Sequence, residues 1–158
     1  MQFDLVTDWK FDQPVERVWS FLHDVRTWPE WWPAVLYVEQ AEPGDEAGVG
    51  AVNHFEWRTA LPYRIAFEME VIRVEPMSII EGRSLGDLDG RGLWTLREEA
   101  GSTHVQYQWT VAVRKPWMRA LAPLLRAIFA WNHNRVMEWG RLGLERALRR
   151  TAARASLP

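Results

Sequence analysis

No cysteine occurs in the 158 residues, which excludes disulfides and thiolate metal centres. Lysine is nearly absent as well: only Lys10 and Lys115 interrupt a basic set of 19 that is otherwise arginine. The formal net charge of −2 leaves no dominant positive field, so a nucleic-acid surface is not expected. No apolar run reaches the roughly 18 residues of a membrane span, so no integral membrane association is expected. The opening Met1-Gln2-Phe3-Asp4 lacks the basic and apolar regions of a secretory signal, and a cytoplasmic protein is the expectation. Also missing are HExxH, GxSxG, a P-loop and a dinucleotide fingerprint; Gly86 to Gly92 lacks the helix that a phosphate cradle requires. Neither a metal nor a cofactor is therefore expected.

Tryptophan is what the chain has in excess, with 11 indoles. One domain of this length seats a few such rings in a close-packed core, but 11 exceed what packing alone explains. Some rings are therefore exposed, or they line a space that something else fills.

Residues 2–11 alternate, with Phe3, Leu5, Thr7, Trp9 and Phe11 on one side, the pattern of a half-buried strand. Asp12-Gln13-Pro14 signals a helix start, and Val15, Val18, Trp19 and Leu22 share its apolar face. The segment Trp28-Pro29-Glu30-Trp31-Trp32-Pro33 has room only for a short helical turn. From Val35 to Val113 about six strands alternate, separated by turn signals such as Pro43-Gly44-Asp45 and Ala100-Gly101-Ser102. From Pro116 to about Arg150 the period becomes helical, with Trp117, Leu121, Leu125, Ile128, Val136 and Trp139 on one side; Pro123 is expected to kink this helix or to split off a short first segment. Residues 1–150 read as a single domain, and 151–158 as a frayed tail.

This order predicts an α+β fold in which one long helix covers part of a curled antiparallel sheet and leaves a ligand cavity. By strand parity Phe55, Trp57, Phe67, Met69, Trp94, Tyr107 and Trp109 face that concavity. Asn132 falls in the middle of the helix's apolar arc. A buried amide needs a partner, so Asn132 either bonds backbone, indole or water, or it faces the cavity and orients a ligand. Glu81 and Arg83 share one face of a strand. If that face is concave they form a buried pair at the cavity wall; if convex they are solvated charges. The four histidines, His23, His54, His104 and His133, are scattered; His54 and His104 point to the wet face, and His133 sits at the edge of the buried arc, facing either the pocket rim or solvent.

The helix Pro14-Val15-Glu16-Arg17-Val18-Trp19, the Trp28–Pro33 segment, Gly48 and Gly50, the Trp94 and Trp109 strands, and the closing Trp131-Asn132-His133, Val136-Met137, Gly140 and Gly143-Leu144 together resemble the START-related SRPBCC superfamily. They are most similar to its polyketide cyclase/dehydrase-like branch, over residues 2–150. The resemblance implies a helix-grip fold with an internal apolar cavity. It also implies a lipid, sterol, polyketide, hormone or quinone as ligand, with cyclisation or dehydration in a minority of members, and it carries no catalytic motif onto this chain.

The expected function is binding of a hydrophobic, aromatic or polycyclic small molecule by Trp57, Phe67, Met69, Arg83, Trp94, Tyr107, Trp109 and Asn132. The alternatives are a polyketide-type cyclase or dehydratase using the same cavity, and a protein or membrane adaptor using Trp28, Trp31 and Trp32.

Overall fold

The computed structural model describes residues 2–85, 89–112 and 120–157. Strand β1 (Gln2–Phe11) leads into helix α1 (Val15–Leu22), a 3-10 turn at Val25–Thr27 and the short helix α2 (Trp28–Trp31). Six further strands follow: β2 (Val35–Glu42), β3 (Val52–Arg58), β4 (Arg64–Glu75), β5 (Ile79–Leu85), β6 (Asp89–Glu99) and β7 (Ser102–Ala112). Helix α3 (Ala122–Ala155) closes the described fold. The expectations placed on Pro116, Trp117, Val113 and the turn at Gly86, Asp87 and Leu88 lie outside the described residues.

The strands form one curved antiparallel sheet in the order β1-β7-β6-β5-β4-β3-β2. β1 runs the full length of β7, from Gln2 opposite Ala112 to Phe11 opposite Thr103. The alternation of β1 works as expected: Phe3, Trp9 and Phe11 are buried. The fold is the α+β helix-grip arrangement, with α3 held in the concave face.

Two helix expectations change. Pro123 occupies the first turn of α3 instead of kinking its middle, where the missing N–H removes no helical bond. The helix also runs to Ala155, so most of 151–158 is helical. Thr151, Ala152, Ala153 and Ala155 carry no apolar period, but three are alanines, the best helix formers. Arg17 ties this end down by donating to the Leu148 carbonyl at 2.8 Å and to the Thr151 hydroxyl.

Tryptophans dominate the core. Trp32 is fully buried, and its indole N–H donates to the Val136 carbonyl at 2.9 Å. Trp28 donates to the Leu22 carbonyl at 3.2 Å. Trp9 packs against Trp32 and Trp94, with ring centroids 5.6 and 5.4 Å away. Helix α2 docks tightly because Gly140 and Gly143 leave room for it. A β-carbon at Gly140 would collide with the Trp32 ring, and one at Gly143 with the Trp31 carbonyl. The Trp28–Trp31–Trp32 cluster is therefore interior, which removes the surface that an adaptor reading needed. Among the described residues no helix is long and apolar enough to cross a membrane.

Candidate functional site

Between α3 and the concave face of the sheet lies a cavity of about 710 Å³, within the range of small-molecule sites. Aromatic rings line it. On β6 and β7, Trp94 stacks on Tyr107 at 4.3 Å and 27°, and Tyr107 lies nearly parallel to Trp109 at 6.5 Å and 16°. These rings lie flat because the strand beneath them is glycine. A β-carbon on Gly92 would come within 2.7 Å of the Tyr107 hydroxyl, and one on Gly90 within 2.7 Å of the Trp109 ring. The lining continues from Trp94 through Trp28 and Trp32, whose rings meet it at 5.9 and 6.2 Å, to Phe55, Trp57 and Phe67. Trp32 and Trp57 meet there edge to face at 4.9 Å, a favoured ring geometry.

Seven of the eight expected site residues line this cavity: Trp57, Phe67, Met69, Trp94, Tyr107, Trp109 and Asn132. Arg83 does not, and its expected role there is withdrawn. Strand β5 turns Ile80 and Gly82 inward, so Glu81 and Arg83 stand on the convex face. They do not pair with each other: Arg83 bonds Glu70 at 2.7 Å, and Glu81 bonds Arg91. Glu81 is nonetheless buried, shielded by its cross-strand neighbours.

Few polar groups enter the cavity. The Asn132 side-chain oxygen accepts the Ala60 N–H at 2.8 Å, so α3 is fastened to the β3–β4 loop through this amide. Both readings of Asn132 hold together, since it bonds backbone and also faces the cavity. Its amide nitrogen keeps two donors that no described residue takes up. Arg58 places its guanidinium over the Trp139 ring at 5.2 Å. Among the described residues the Asn53 side-chain oxygen and the Trp57 indole N–H are buried without a partner. Each such orphan costs on the order of 1–3 kcal/mol.

His133, expected at the edge of the arc, is inside. Its Nε2 lies 3.2 Å from the Thr7 hydroxyl, and its ring is nearly parallel to Tyr107 at 6.2 Å. Burial lowers its pKa from 6.5 to about 4, because a desolvated imidazolium is disfavoured. Burial likewise raises the Tyr107 phenol well above its ordinary value. Both side chains are neutral near pH 7. His23 stacks on Trp19 at the end of α1, as its position implied. Among the described residues no cluster of His, Asp or Glu could hold a metal ion.

Sequence reasoning missed Trp28 and Trp32 as cavity wall, and it left His133 between pocket rim and solvent. A four-residue helix has no period from which an inward face can be read, and an edge position on a helical wheel has two outcomes. The glycine floor was missed because glycine gives no hydropathy signal.

A family model described as polyketide cyclase / dehydrase and lipid transport matches residues 3–155. No curated protein matches the sequence. Among solved structures, the Zhui aromatase/cyclase from Streptomyces sp. R1128 is similar in fold at a TM-score of 0.81 and 16% identity, with 99% of each chain covered. A START superfamily protein from Mycobacterium smegmatis superposes at 0.75 and 13% identity, over 94% of this chain and 98% of that one. The di-domain ARO/CYC StfQ of the steffimycin biosynthetic pathway superposes at 0.70 and 15% identity, over 93% of this chain and 52% of that one. At these identities the likeness concerns the fold.

Proposed function

Because this chain belongs to the polyketide cyclase / dehydrase and lipid transport family, we propose that it binds a flat, hydrophobic, aromatic or polycyclic small molecule in the cavity under α3. The observation that carries this reading is the continuous aromatic lining around about 710 Å³. Parallel rings at Trp94, Tyr107 and Trp109 offer stacking surface to a planar ligand. Phe67, Met69 and Trp57 supply further apolar contact. A ligand burying about 350 Å² of apolar surface gains roughly 9 kcal/mol before association costs. The free Asn132 donors orient it through a carbonyl or hydroxyl oxygen.

A second reading, turnover by cyclisation or dehydration, has His133 in its favour as an imidazole inside the cavity. General-base catalysis works best with a pKa near the operating pH. At about 4 the imidazole is a weak base, which favours binding over turnover. The test is native mass spectrometry of freshly purified protein, followed by extraction and identification of any retained molecule. A co-purified aromatic compound, or quenching of tryptophan emission by hydroxylated anthraquinones, supports the proposal. It fails if nothing is retained and neither aromatic nor acyl compounds change the emission.

A further inference from the structure

Helix α3 carries a second pattern, on the side turned away from the cavity. Its buried face is Val136, Met137, Leu144 and Leu148. At 100° per residue the opposite side is centred close to Leu124, Trp131 and Leu142. All three are exposed, at 63%, 50% and 40%. The fold does not require apolar side chains there, since the solvent face of such a helix is ordinarily polar.

These residues belong to a longer series. Leu124, Ile128, Trp131, Arg135, Glu138 and Leu142 follow one another at alternating steps of four and three, and Glu145 and Arg149 continue it. That alternation is the seam spacing of a two-stranded coiled coil. It also reads the same from either end, so an antiparallel second copy meets it in step along its whole length.

Charge fixes the direction and register of that pairing. When all eight positions take part, Trp131 lies opposite the partner's Leu142, and Arg135 opposite the partner's Glu138. Two-fold symmetry makes each of these contacts twice. Arg135 is exposed and makes no hydrogen bond or ion pair among the described residues, so it has a charge to offer. Glu138 is exposed as well and bonds Arg141 on the flank at 2.9 Å. At the ends, Leu124 and Ile128 meet the stems of Arg149 and Glu145, whose charged groups bond each other at 3.0 Å. A parallel pair in register would set Arg135 on Arg135 and Glu138 on Glu138, which like-charge repulsion disfavours.

We propose that the chain pairs with a second copy of itself through this seam, the two α3 helices antiparallel about an axis between residues 136 and 137. The cavities then lie on the outer sides of the pair, so the inference does not depend on what they bind.

The test is equilibrium sedimentation of the full chain over a range of protein concentrations. Wild type is expected to show a reversible monomer–dimer equilibrium. Arg135→Glu and Glu138→Arg are each expected to raise the dissociation constant about tenfold or more, because by symmetry each creates two like-charge contacts. An equimolar mixture of these two variants is expected to regain the dimer, since every such contact is then between opposite charges. Leu142→Gln changes no charge and is expected to weaken the dimer through loss of apolar contact with Trp131. Circular dichroism checks the fold of each variant. The proposal is overturned if wild type stays monomeric at every concentration, including the case in which that monomer sediments with lipid vesicles. It is overturned equally if the folded variants dimerise as well as wild type, or if the mixture of charge variants remains monomeric.

Discussion

His133 makes the stability of this protein depend on pH in a defined window. In the native chain its imidazole is held near pKa 4, whereas the unfolded chain has it at 6.5. Between these values the unfolded state binds a proton that the native state refuses, so stability falls as pH falls. The contribution is fully retained above pH 6.5 and fully lost below about 4. The 2.5 units between 6.5 and about 4, at 1.36 kcal/mol each, come to about 3 kcal/mol. That is a large part of a typical domain's stability. The perturbation is His133→Gln, which keeps a hydrogen-bonding group for Thr7 and removes the titration. Urea unfolding of both proteins across this window gives the free energies by linear extrapolation. Carboxylates that titrate at the acid end are common to both and cancel in the difference. Wild type should lose about 3 kcal/mol more than His133→Gln from the top of the window to the bottom. Parallel curves would refute the burial argument, as would an imidazole proton resonance titrating near 6.5.

Two substitutions test how the cavity is framed. Gly143→Ala sets two effects against each other: alanine favours a helix by about 1 kcal/mol, but its β-carbon would overlap the Trp31 carbonyl. Backbone cannot swing aside as a side chain can, so overpacking of about 3 kcal/mol prevails. Thermal unfolding should drop by roughly 5 °C; a rise would mean that α2 does not sit against Gly143. Asn132→Ala removes the acceptor of the Ala60 N–H and should cost about 1 kcal/mol. The direct check is amide exchange at Ala60, which should speed up; unchanged exchange there would show that the loop is held by something else.

Alternation made most of the cavity legible in the sequence. In β3, β4 and β7 large apolar residues recur at every second position, and that parity carried Phe55, Trp57, Phe67, Met69, Tyr107 and Trp109 to the correct face. It failed on β5, where Ile79 and Ile80 are adjacent and give no parity, and where the inward face is continued by Gly82. A register shift between Val71 and Arg73 on the partner strand further breaks any count carried over from β4. Ile79 and Leu85, which share the parity of Arg83, had kept the inward option open for it. The tryptophans beside prolines had the opposite difficulty. Trp28 and Trp32 were legible as packing residues but not as cavity wall, because their direction depends on how closely Gly140 and Gly143 let α2 approach α3. Of the expected ligand-facing indoles Trp57, Trp94 and Trp109 all line the cavity, and Trp28 and Trp32 join them. Trp131 went the other way and is half exposed.

The central claim is that the aromatic-lined cavity under α3 is the ligand's place. Filling that space tests it most directly. Met69 lines the cavity and tops Gly82, whose β-carbon would meet the Met69 methyl at 3.0 Å. Met69→Trp therefore adds a ring to the interior without displacing backbone. Calorimetric titration with a hydroxylated anthraquinone should give saturable one-to-one binding to the wild type. Affinity should fall about tenfold or more in the filled variant, the effect of excluding one ring's contact area, while its unfolding remains cooperative. Equal binding by the two proteins would place the ligand elsewhere and contradict the account.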